Sequence, residues 1–186
     1  MKNILLVIIL TFIFCLNCNA QNHKTVVSNF IEAYNKKDSI TTFKYLHKNF
    51  VEHFELISDT AIASKSDYSN NYAWGKVMND RMEFELLQTD DNWVETMSTY
   101  YSDRDSLLDV SPYKSIRKYI IVDGQILKII ESKFSGYNKY DNPRRDKYNK
   151  FFEWLLKKHG LTISDFEYDQ KGAEKLKKIL LEYSKE

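Results

Sequence analysis

Four ionisable residues crowd one short stretch of the chain: His47, Glu52, His53 and Glu55. A histidine changes charge near neutral pH, and a neighbouring carboxylate can orient it or share its proton. His53 with Glu52, or with a carboxylate distant in sequence such as Glu95, is therefore the candidate general acid/base pair. The competing assignment is a histidine at a pocket rim beside solvated carboxylates, because no third residue marks itself as an orienting partner. The spacing fits no zinc motif, so no metal is expected. Asp90-Asp91 and Ser102-Asp103-Arg104-Asp105 lack the alternating oxygen ligands, the central glycine and the closing glutamate of a calcium loop. They read as solvated turns. No Gly-rich phosphate loop, Gly-x-Ser-x-Gly elbow or cysteine nucleophile occurs, and no cofactor is implied.

The elements that must position these groups follow from periodicity. Val26, Phe30 and Tyr34 recur every fourth residue, with Val27 and Ile31 beside them, which predicts an amphipathic helix from about Lys24 to Lys37. Asp38 is placed to cap a short second helix. Phe50–Leu56 reads as a first strand, Ser66–Asp80 as a helix, and the alternation of Met82, Phe84 and Leu86 with glutamates as a half-buried strand. Asn92–Tyr101 is a further strand. Asp123-Gly124 between Ser115–Val122 and Gln125–Phe134 is a two-residue hairpin turn. After Gly136, a helix is expected from Asn142-Pro143, with proline in its first turn, to Gly160, and another from about Gln170 to Ser184. Their apolar stripe, which includes Tyr148, Phe151, Phe152 and Leu155, must cover something.

The segment Val26-Val27-Ser28-Asn29-Phe30-Ile31-Glu32-Ala33-Tyr34-Asn35-Lys36-Lys37-Asp38 resembles the opening helix of the nuclear transport factor 2-like superfamily, which includes SnoaL-like cyclases and ketosteroid isomerases. Ile121-Val122-Asp123-Gly124-Gln125-Ile126 is similar to that superfamily's closing hairpin, and Trp74-Gly75-Lys76-Val77-Met78-Asn79 falls where its third helix belongs. The resemblance covers about residues 24–134. It implies an α+β fold: a cone of N-terminal helices on a curved, mostly antiparallel sheet, with a pocket between them and a C-terminal helical extension outside it. The chain then divides into residues 1–20, 21–136 and 137–186. Laid on this sequence without gaps, the isomerases' tyrosine falls on Phe30 and their aspartate on Phe54, neither of which can move a proton. The isomerase chemistry therefore does not carry over.

With 13 Tyr, 11 Phe and 3 Trp, aromatic residues make up 15% of the chain, more than packing alone usually requires. On the cone, Tyr34, Phe54, Trp74, Met78, Phe84, Trp93 and Tyr100, together with Phe50, fall on the elements around the pocket. They would either line a site for a small hydrophobic ligand or plug the cavity as core. The expected function is non-catalytic: binding such a ligand, or serving as an envelope interaction domain. The alternative is a SnoaL-like isomerase, cyclase or hydrolase using His53 or a pocket carboxylate. A second copy of the chain is one further candidate partner.

Charge and the N-terminus bound the rest. Lys+Arg 27 against Asp+Glu 26 gives a net charge of +1, which disfavours a nucleic-acid binder. Lys139, Arg144, Arg145, Lys147 and Lys150, interleaved with Tyr140 and Tyr148, read as a solvated helix face rather than a polyanion grip. Met1-Lys2-Asn3, the apolar run Ile4–Leu16 and the small exit Cys18-Asn19-Ala20 have the form of a secretory signal, with no membrane span. Cleavage after Ala20 would leave 26 basic and 26 acidic residues and no thiol, since Cys15 and Cys18 both lie before it. The location expected is secreted or periplasmic; the alternative is a lipoprotein anchored through Cys18.

Overall fold

The computed structural model describes residues 23–56, 58 and 61–186. The secretion pattern and Cys18 lie outside the described residues. Helix α1 (residues 23–35) turns Val27, Phe30 and Ile31 inward and ends where Lys37 takes a positive φ of 59°. Asp38 then caps α2 (Ser39–Lys44), accepting from the Thr41 amide at 3.0 Å. Strand β1 (Leu46–Phe54) is followed by the short β2 (Ile62–Ser64) and α3 (Lys65–Val77), which opens on a capping box between Ser64 and Asp67. Three long strands, β3 (Arg81–Asp90), β4 (Trp93–Tyr101) and β5 (Tyr113–Val122), lead to β6 (Gln125–Ser132), with the five-residue helix α4 (Asp103–Leu107) between β4 and β5. The turn between β5 and β6 is the expected hairpin, with Asp123 and Gly124 at φ 50° and 72°.

The six strands form one sheet in the order β2-β1-β6-β5-β4-β3, antiparallel throughout except for the parallel β1–β6 pair. Register shifts interrupt β1 near Leu46/Val51, β3 near Leu86/Gln88 and β5 near Ile120/Ile121. Such shifts are where a sheet bends. Helices α1 and α3 pack on its inner face, where Phe30 and Tyr68 meet Phe50, Met82, Val94, Tyr119, Ile126 and Ile129 in the main core. The α+β cone expected from the sequence is thus the fold observed.

The C-terminal helices do not stand apart. Helix α5 (Tyr137–His159) and helix α6 (Gln170–Tyr183) build a second core with Trp74 of α3, Met78 just after it and Leu108 beyond α4. Phe151, Leu155, Leu176 and Leu180 are all essentially sealed from solvent, so the stripe predicted from spacing is covered. The start of α5 differs from the expected one. Helix α5 begins at Tyr137, five residues before Asn142, and Pro143 lies inside it rather than in its first turn. The ring contacts of Phe134 with Tyr137 and Tyr140, and the Tyr140 hydroxyl donating to the Pro112 carbonyl, anchor that extra turn. Tertiary contacts outweigh the proline signal here. Gly172 has a firm requirement: a Cβ there would lie 1.8 Å from the Glu167 carbonyl oxygen.

Candidate functional site

Strand alternation sends residues two apart to the same face. On β5 the inner face reads Ser115, Arg117, Tyr119 and Ile121; on β6 it includes Ile129 and Glu131; on β1 it includes Phe50 and Glu52. The inner face is therefore apolar toward the β5–β6 hairpin and becomes charged toward the other end of the strands. At that end lies a cavity of about 390 Å³. The sheet contributes Glu52, Phe54, Tyr100, Tyr113, Arg117 and Glu131; α1 and α3 contribute Tyr34 and Tyr68. The wall is completed by Asp80, by Arg104 and Asp105 of α4, and by Arg144, Tyr148 and Tyr168 from the C-terminal region.

Two buried ion-pair groups organise it. Arg117 donates from Nη2 to Glu131 Oε2 at 2.8 Å and from Nε to the same oxygen at 3.2 Å, and its Nη2 also donates to Glu52 Oε1. The side chains of Arg117 and Glu52 are 4% and 2% exposed, and the guanidinium lies 4.8 Å from the Tyr100 ring centroid. In the second group, Arg144 Nη2 lies 3.3 Å from Asp105 Oδ2, and the Tyr148 hydroxyl donates to the same carboxylate. Tyr113 joins the two: its hydroxyl donates to Glu131, and its ring centroid is 5.5 Å from the Arg144 guanidinium carbon.

Burial dominates the titration of this wall. It pushes the Glu52 carboxyl up to about 7, against the pull of Arg117, and Glu131 adds to the rise. Burial also raises Asp80, and it holds the Tyr34, Tyr68 and Tyr100 hydroxyls protonated well above their ordinary range. Several polar atoms have no hydrogen-bond partner among the described residues: Arg117 Nη1, Arg144 Nη1, Arg104 Nε and the Tyr68 hydroxyl on the donor side, and Asp80 Oδ1 among the acceptors.

Of the residues singled out from the sequence, Glu52, Tyr34, Phe54 and Tyr100 line the cavity. His53 does not: as the strand neighbour of Glu52 it points to the opposite face, where burial and then the Lys128 charge lower its pKa. Glu95 alternates with the inward Val94 and Thr96 and also faces away. His47 accepts from the Asn49 amide at 3.1 Å, outside the cavity. Trp74 and Met78 belong to the second core, with Trp74 stacked on Tyr168 at 4.4 Å. Phe84 packs against the main core beside an outer groove, and Phe50 is wholly within that core. Trp93 sits on the outer face under Lys118, whose Nζ is 3.8 Å from its ring centroid. Two further readings are corrected. Ser102–Asp105 is no solvated turn, because Ser102 caps α4 and Asp105 is buried. Arg144 and Tyr148, read as part of a solvated face, point into the wall, while Arg145 and Lys150 remain exposed.

Neither a protein-family model nor a curated sequence matches the chain. Solved structures do. Bal32a, from a soil-derived mobile gene cassette, aligns with a TM-score of 0.54 at 13% identity, over 66% of this chain and 97% of its own. A provisionally assigned ketosteroid isomerase from Kribbella flavida aligns with a TM-score of 0.50 at 9% identity, over 61% of this chain and 78% of its own. An NTF2-like protein of unknown function from Cytophaga hutchinsonii gives a TM-score of 0.49 at 15% identity, over 66% of this chain and 94% of its own. The chain has the nuclear transport factor 2-like fold, as its opening helix and closing hairpin imply. At these identities the likeness extends to fold alone, so the site must speak for itself.

Proposed function

We propose that this protein is exported and holds one small molecule, without transforming it, in the cavity at the charged end of its cone. The observation that carries this reading is a cavity of about 390 Å³ whose wall contains buried guanidinium groups with N–H donors that have no partner among the described residues. A buried donor without a partner costs about 1–3 kcal/mol, and a ligand acceptor removes that cost. The ligand is not wholly apolar, as the aromatic surplus alone suggested. Tyr34, Phe54 and Tyr100 offer ring faces, but charged groups stand between them. Export rests on the residue pattern of Met1–Ala20.

Native mass spectrometry of protein purified from its source is expected to show a bound small mass lost on denaturation. A fluorescent apolar probe is expected to bind saturably at one site and to compete with that molecule. Well-folded protein showing neither would overturn the reading. Fractionation is expected to find the chain in the exported soluble fraction, and a wild type held at membranes while Cys18→Ser is not would reassign it as a lipoprotein.

Glu52 favours a second reading. A carboxyl raised to about 7 inside a cavity can both give and take a proton at neutral pH. On that reading Glu52 carries the proton, and His53, on the other face, takes no part.

A further inference from the structure

Away from the cavity, we propose that the free edge of β3 takes up an extended segment of a partner protein, about five residues long, in which apolar side chains alternate with lysine or arginine. Strand β3 is the last of the sheet, with only β4 beside it. The Asn35 amide shows which way its backbone points: it accepts from the Met82 N–H and donates to the Met82 carbonyl, both at 2.8 Å. Met82 therefore turns both groups away from β4. Phe84 and Leu86, opposite Ser98 and Thr96 in the same unbroken register, turn theirs the same way. No described residue bonds to those N–H and C=O groups. Asn35 thus fills the first position of an added strand and leaves the next two open. A groove between α1 and β3, lined by Ile31, Asn35, Met82 and Phe84, adjoins that edge.

The side chains along that row set the partner's chemistry. On the inner face stand Phe84, half-buried, and Leu86, 38% exposed; on the outer face stand Glu83 and Glu85. An added strand shares the sheet's alternation, so its side chains are apolar on one face and cationic on the other. From Arg81 to Asp91 the strand and its turn hold one cation against four carboxylates, Glu83, Glu85, Asp90 and Asp91. Arg81 is already paired with Glu83, and Lys36 beside the groove with Glu32, while Glu85 has no ion partner among the described residues. The register shift between Leu86 and Gln88 ends the straight edge and keeps the added segment short. A second copy of the chain fits less well. Antiparallel pairing of two β3 strands centred on Phe84 sets Glu83 opposite Glu85, and pairing centred on Glu85 sets that residue opposite itself.

Fluorescence anisotropy of a labelled heptapeptide alternating lysine and valine, titrated with the full chain, tests the proposal. The peptide is expected to bind saturably at one site, and at least about tenfold more tightly than a glutamate–valine counterpart or one with proline at its centre. Glu85→Lys is expected to weaken binding about tenfold at low salt. Leu86→Pro removes an outward N–H while leaving the bonds to β4 in place, and is expected to weaken it as much. Amide hydrogen exchange on the wild type locates the contact without any substitution: saturating peptide should slow the Phe84 and Leu86 amides about tenfold or more. Absence of saturable binding, or unchanged exchange at those two amides, overturns the proposal. So does binding that tolerates the central proline and Leu86→Pro, because charge attraction alone would then account for it. Protection of the same amides without peptide, rising with protein concentration, would assign the edge to a second copy instead. Strand β3 contributes no residue to the cavity wall, so the apolar probe is expected to bind equally well with the peptide in place, and either reading can fail without the other.

Discussion

A chain ended at Gly136 is expected to be insoluble, or to unfold at a far lower urea concentration than the full-length protein. The truncation removes Phe151, Leu155, Leu176 and Leu180, which are buried in one core with Trp74 of α3 and Met78 just after it. Each such side chain contributes about 1.5–3 kcal/mol when buried, against a typical total stability of about 5–15 kcal/mol. The cut also strips Arg144 and Tyr148 from Asp105, whose side chain is 4% exposed. A buried carboxylate without its cation costs several kcal/mol more. Urea denaturation followed by circular dichroism, with sedimentation to detect aggregation, measures the loss. An unchanged midpoint and a monomeric truncated chain would show that α5 and α6 are a separate arm. The same truncation removes three residues of the cavity wall, Arg144, Tyr148 and Tyr168, so any soluble product is expected to lose probe binding as well.

The fold was more legible than the site, for a physical reason. Helix and strand periods, the Asp38 cap and the Asp123-Gly124 turn are local, and each appears in the structure, although β1 begins at Leu46, four residues before Phe50. The start of α5 misled because ring contacts from Phe134 decide it, and those depend on the packed chain. At the site, hydrophobicity was the wrong guide. Charged residues usually face water, so nothing drew Arg117 and Glu131 into the candidate site, although both, like the candidate Glu52, stand two residues from a buried apolar neighbour on their strands. Following strict alternation from Tyr119 to Arg117, from Ile129 to Glu131 and from Phe50 to Glu52 would have placed all three inside. Trp93 was misplaced by the converse assumption, since an aromatic ring can face outward under a lysine stem. Nothing local reveals that Asp105, Arg144 and Tyr148 meet, because 39 residues separate the arginine from its carboxylate.

Replacing Arg117 with methionine is expected to destabilise the protein by about 3–5 kcal/mol near pH 8, and by much less near pH 5. Methionine keeps the length and apolar stem of the side chain but leaves Glu52 and Glu131 facing each other, at 2% and 7% side-chain exposure, with no cation between them. Already in the wild type, Glu52 is raised from 4.5 to about 7 by burial despite Arg117. Without the guanidinium it must rise further. A carboxyl whose folded pKa lies above its unfolded value binds more protons in the folded state, so its stabilising contribution is full below the unfolded pKa and is lost as pH climbs through the folded one. The wild type should therefore lose stability between about pH 4.5 and 7, and the variant should lose more, over a window that extends higher. The surface carboxylates work in the opposite sense and in a different range. Hydrogen bonds lower Asp38, Asp67, Asp109 and Asp165 below 3.8, so they cost stability only in acid. Urea unfolding of wild type, Arg117→Met and the double variant Arg117→Met/Glu52→Gln at several pH values separates the contributions. The double variant, in which a neutral amide replaces the charge that has lost its partner, should recover a large part of the deficit near pH 8. Equal losses at both pH values, or no recovery in the double variant, would mean that Arg117 serves by packing and that the buried carboxyl pair carries no charge.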